Sequence, residues 1–114
     1  MNFFCKILFF ITINFCSVGL FGATKTWDGG GANDNWTSAA NWDLDVAPVA
    51  GDALVFDGAT RTTPANDFAA ATSFASITFA ATASAFTLSG NSVTITGGAT
   101  AITASNTTHT AKSK

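Results

Sequence analysis

From Ala53 onward the chain is written in short bursts in which apolar residues alternate with threonine or serine. Ala53-Leu54-Val55-Phe56 is the first, closed by Asp57-Gly58. Ser76-Ile77-Thr78-Phe79, Phe86-Thr87-Leu88-Ser89, Ser92-Val93-Thr94-Ile95 and Ala101-Ile102-Thr103 follow. A period of two lays one face of an extended segment on a core and leaves the other in water. No stretch after residue 24 holds an apolar period of 3.6. The alanine runs at Ala69 to Ala71 and Ala80-Ala81 lack caps and charged helix formers, so the chain reads as all-β.

The apolar positions Ile77, Phe86, Val93 and Ile102 are separated by 9, 7 and 9 residues. If every fourth strand stacks on the first, one circuit takes 25 residues, within the range of solenoid repeats. Gly90-Asn91 and Gly97-Gly98 supply turn residues between strands. An antiparallel sandwich also has strands every 8 to 12 residues. Spacing therefore leaves two architectures open, a parallel β-helix and a small antiparallel β-sandwich.

All three tryptophans, Trp27, Trp36 and Trp42, lie within sixteen residues, set among glycine, asparagine and aspartate. The segment Thr26-Trp27-Asp28-Gly29-Gly30-Gly31 runs through Trp36 to Asn41-Trp42, and Ala47-Pro48-Val49-Ala50-Gly51-Asp52-Ala53-Leu54-Val55-Phe56 follows. This spelling resembles the start of the exported passenger region in bacterial proteins with autotransporter-associated β-strand repeats. Those open with T-W-D-G-G-G, a W about nine residues on, an N-W, and then an A-P-V-A-G-D-x-L/V-x-F stretch. The resemblance continues from Phe68 to Thr96 and fades after Ile102.

It implies an exported surface protein built on a right-handed parallel β-helix, and it implies no known activity. On this reading residues 24–67 form an N-terminal cap built on Trp27, Gly29, Gly30, Gly31, Trp36 and Trp42, and residues 68–114 are truncated repeats with a polar tail. The open end of a solenoid exposes unpaired backbone and core, which a terminal unit must cover. Relatives run on for hundreds of residues and often end in a membrane barrel or a surface-sorting tail. The chain accordingly reads as the N-terminal fragment of such a protein, able to self-associate through its open β edge.

Residues 1–23 read as a secretory signal peptide. Lys6 and the free amine precede an apolar stretch from Ile7 to Phe15, and Gly22-Ala23 or Ser17 and Gly19 offer small residues for cleavage. From Ile7 to Phe21 there are 15 residues, interrupted by Thr12, Asn14 and Ser17. A membrane span needs about 20. Export machinery and signal peptidase are thus the expected partners, and a secreted or cell-surface location in a bacterium the expected destination. Cys5 and Cys16 both fall in this leader, so the processed chain has no thiol or disulfide. It carries Lys25, Arg61, Lys112 and Lys114 against seven aspartates, a net charge of −3, which excludes a phosphate-binding basic patch and argues against nucleic acid as a partner.

Candidate chemistry is sparse. Gly29-Gly30-Gly31-Ala32-Asn33-Asp34 is similar to calcium-binding glycine-aspartate nonapeptides but lacks the fourth glycine and a tandem copy. A structural turn is the preferred reading over a calcium site built from Asp28, Asp34, Asp43 and Asp45. The tryptophans suit a buried cap core better than a sugar-stacking platform. Asp43 and Asp45 would share a strand face, as a carboxylate pair for glycoside hydrolysis would need, yet nothing in their spacing singles them out. His109 sits in a polar tail, and no Ser-His-Asp set, zinc spacing or phosphate loop is present. The expectation is a non-enzymatic protein without cofactor or metal, structural or adhesive in role, with surface glycans as possible ligands. A secreted carbohydrate-binding module using exposed tryptophans and a remnant of a β-helical polysaccharide enzyme are the alternatives.

Overall fold

The computed structural model describes residues 22–98, 101–104 and 110–111. Most of the leader segment, residues 1–21, and His109 therefore lie outside the described residues. Nine short strands form: β1 Thr24–Trp27, β2 Ala53–Phe56, β3 Ala65–Asn66, β4 Thr72–Phe74, β5 Ser76–Phe79, β6 Thr87–Gly90, β7 Val93–Ile95, β8 Ile102–Ala104 and β9 Thr110–Ala111. They make three sheets, ordered β8-β5-β2-β1, β9-β6-β3 and β4-β7. Every ladder between these strands is parallel. The protein is all-β, as the alternation indicates.

The antiparallel sandwich left open by strand spacing is not what forms. Consecutive strands enter different sheets instead of folding back as hairpins. Between β4 and β5 there is a single residue, Ala75, so the chain turns a corner there rather than reversing. Each strand pairs with another that comes more than twenty residues later. Leu54 lies opposite Ile77, and Ile77 opposite Ile102, which is the 25-residue offset the sequence spacing suggests.

In-register stacking turns the period-two pattern into columns. Trp27, Phe56 and Phe79 form one, with ring centroids 6.0 and 5.7 Å apart. Leu54 and Ile77 form another beside it, both buried, with Ile102 at its end and 62% exposed. Phe74, Phe86 and Leu88 complete the core from the other two sheets. The outward residues Val55, Thr78 and Thr103 stack in the same way, and the hydroxyls of Thr103 and Thr78 lie 3.2 Å apart. The sheets run through the 67/68 boundary without a break, since β3 pairs with β6 and β2 with β5.

Gly90 shows how tightly the rungs fit. Its φ is +97°, and a Cβ there would sit 2.3 Å from the carbonyl oxygen of Asn66, the residue it faces across the ladder. Gly58 has a similar φ of +75° with nothing within 4 Å. Gly58→Ala should thus cost only the backbone strain, about 1 kcal/mol, whereas Gly90→Ala adds a clash and should cost about 2–4 kcal/mol. Urea unfolding of the two variants measures the difference, and equal losses would show that the rung contact is unimportant.

Candidate functional site

The residues singled out by sequence converge at the β1 end of the stack. Trp27 closes β1 and forms an isolated antiparallel bridge to Trp42. The indoles of Trp27 and Trp42 stand edge to face at 5.3 Å and 89°, and those of Trp42 and Trp36 at 6.3 Å and 88°. All three contact Phe56, at 6.0, 5.5 and 5.7 Å. Each is at most 2% exposed, so no indole face is offered to a sugar ring. Edge-to-face pairing sets the positive ring edge against the negative face, which adds roughly 0.5–1.5 kcal/mol per pair to the area term.

The polar ends of the rings are handled unequally. Trp42 Nε1 donates to the carbonyl of Trp36 at 2.8 Å, and Trp27 Nε1 to the carbonyls of Thr60 and Arg61 at 3.3 and 3.2 Å. Trp36 Nε1 is buried without a hydrogen-bond partner among the described residues. Trp36 also forms one wall of a cavity of about 260 Å³ with Asn66, Ile77, Leu88, Ile95 and Ile102, toward the β8 end of the core.

Asn41, which sequence reasoning passed over, organises the glycine loop. It is wholly buried, and its side chain is fully used. Oδ1 accepts from the Gly31 amide at 2.9 Å, and Nδ2 donates to the carbonyls of Asn33 and Asn35 at 2.8 and 3.0 Å. Its own carbonyl accepts from the amides of Asp28 and Gly29. Gly29 holds φ +67° with the Thr60 carbonyl 2.6 Å from where a Cβ would be, and Gly30 donates its amide to Asp28 Oδ1. Arg61 ties the loop to the next corner, with Nε on the Gly31 carbonyl at 2.8 Å and Nη1 on Asp34 Oδ1 at 3.0 Å. Asn41 was legible only as the N of an N-W pair, because nothing local marks an asparagine as buried.

The four aspartates weighed as calcium ligands serve separate backbone or side-chain partners. Asp28 holds Gly30, Asp34 takes Arg61 and the Thr63 hydroxyl, and Asp43 Oδ1 accepts the Thr26 amide at 2.7 Å, while Asp45 is exposed. Among the described residues no three of His, Cys, Asp and Glu group together to hold a metal ion. Asp43 and Asp45 do not share a strand face. They flank Leu44 in a 3-10 turn, because Leu44 and Asp45 take φ of +61° and +54° and wind the chain out of the extended region. The carboxylate pair imagined for hydrolysis is therefore not formed by that segment.

Asp57 lines a shallow cleft with Thr26, Trp27, Asp28 and Gly58. The Thr82 hydroxyl donates to its Oδ1 at 2.6 Å and the Gly58 amide at 2.7 Å, and these bonds hold its carboxyl below the ordinary aspartate value. A depressed folded-state value contributes stability above the unfolded value of about 3.9, which is lost as pH falls through the lower folded one.

No protein-family model matches the chain, and neither does any curated protein or solved structure.

Two outcomes follow from the geometry of this site. Trp42→Ala should lower stability by about 3–5 kcal/mol, since it opens a cavity among Trp27, Trp36 and Phe56. Thermal denaturation reads this, and a shift of only a degree or two would mean the ring is not part of the core. Carbon-detected NMR titration should find Asp57 below the ordinary aspartate range, and Thr82→Val should move it upward. An unchanged midpoint in that variant would remove the hydroxyl as the cause.

Proposed function

We propose that the chain is an exported structural or adhesive surface protein, the capped opening of a right-handed parallel β-helix scaffold. Residues 24–67 close one end of the core, and later strands extend it. Its work is mechanical, holding further sequence away from the envelope on a rigid stack. The observation that carries the reading is the register. Leu54, Ile77 and Ile102 occupy one column on successive parallel strands, and Phe74 and Ile95 one on another sheet. Burial of Trp27, Trp36 and Trp42 favours a cap over an aromatic binding platform. Solenoids need such a terminal unit because their first rung has no neighbour to pair with.

Export is supported by the composition of residues 1–23. Fractionation of a bacterial host expressing the full chain, combined with protease treatment of intact cells, tests both halves of the proposal. The expected result is a shortened protein outside the cytoplasm and open to protease at the surface. Full-length protein confined to the cytoplasm would overturn the reading.

A further inference from the structure

Asp52 is the one described carboxylate that is buried, at 3% exposure, and the only ion pair formed among the described residues is that of Arg61 with Asp34. Its two oxygens accept main-chain amides, Oδ2 from Val49 at 2.9 Å and Oδ1 from Ala23 at 2.8 Å. A carboxylate withdrawn from water with neutral donors alone is poorly compensated. The Ala23 nitrogen that it holds lies at the boundary between the leader and β1. We propose that signal peptidase cuts between Gly22 and Ala23, and that the α-ammonium group so created is received by the Asp52 carboxylate. This inference rests on the export reading and refines it.

The backbone around the bond supports that position. Ala23 is already part of the fold, because its carbonyl accepts from the Ala53 amide at 2.8 Å and the next residue, Thr24, is in register with Ala53. Cleavage after Ala23 would delete both of these bonds and strand Asp52 Oδ1. Cleavage after Gly19 would leave a neutral amide on the carboxylate. Cleavage after Gly22 keeps the nitrogen where it is and changes only its charge. It also places a glycine at the −1 position, and Leu20 rather than the bulkier Phe21 at −3. Ala23 is exposed, so the new terminus needs no rearrangement to form.

The step is a simple hydrolysis. Water adds across the bond between the Gly22 carbonyl carbon and the Ala23 nitrogen. The leader departs with the Gly22 carboxylate, and the Ala23 nitrogen leaves as a protonated amine. A charge-assisted hydrogen bond then replaces a neutral one, at the same pair of atoms.

Mass spectrometry of the protein recovered from exporting cells should give Ala23 as the first residue. Any other processed terminus overturns the assignment, whereas unprocessed protein inside the cell tells instead against export. Pairing is read on the same material by labelling with limiting acetic anhydride near neutral pH. The Ala23 amine of the folded protein should react roughly tenfold more slowly than that of Asp52→Asn, since the carboxylate keeps it in the unreactive ammonium form. Equal rates overturn the pairing. If Asp52→Asn does not fold, folded and urea-unfolded wild type are compared, with slower labelling of the folded chain expected and equal rates again overturning it.

Discussion

Trp27, Phe56 and Phe79 occupy one inward position on three successive parallel strands, and the remaining structure is arranged around keeping them there. Parallel in-register pairing offers a buried side chain only the same position one circuit earlier and one circuit later. A large aromatic ring at each level fills the core from a single column, and each large ring can bury about 150–250 Å². The first level lacks an earlier neighbour. Trp36 and Trp42 stand in for it, set edge to face against Trp27 and against each other. The glycine loop exists to bring those two rings back over the end of the stack.

Much of this was legible in the residues. The segments Ala53–Phe56 and Ser76–Phe79 alternate cleanly and form strands with those bounds, and the offset between Ile77 and Ile102 is that of their ladder. Strand β1 was hidden because Thr-Lys-Thr-Trp offers one large apolar residue, and its partner is 29 positions away at Ala53. Strand β4 was hidden because it ends one residue before β5, where periodicity alone sees a continuous run. Strand direction was not legible at all, since alternation is the same in parallel and antiparallel sheets. The place where sequence reasoning failed outright, Asp43 to Asp45, is a pair of left-handed residues without glycine, which no pattern rule anticipates.

Polar side chains carry a second layer of organisation, and it is the layer that composition conceals. Corners between parallel strands leave main-chain groups unpaired, and buried ones must find partners. Asparagine, with an acceptor and two donors, is suited to the task. Asn66 Nδ2 donates to the carbonyl of Asn91, and Asn91 Nδ2 donates to that of Phe68, so each corner is pinned to the one a circuit away. Asn41 does the same inside the cap, and Asp67 holds the amide and hydroxyl of Thr37. In the sequence these residues look like ordinary turn formers on a wet surface.

The single-residue corner at Ala75 belongs to a chain in which ladder partners stay close in sequence, from 21 residues apart (Thr72 and Val93) to 29 (Thr24 and Ala53). Loop-closure entropy depends on that separation and not on total length. Each added rung therefore meets nearly the same entropic barrier as the last, and always at the same end. Such a chain can acquire structure in the order in which it emerges from a pore, the cap first, with every completed level serving as the template for the next.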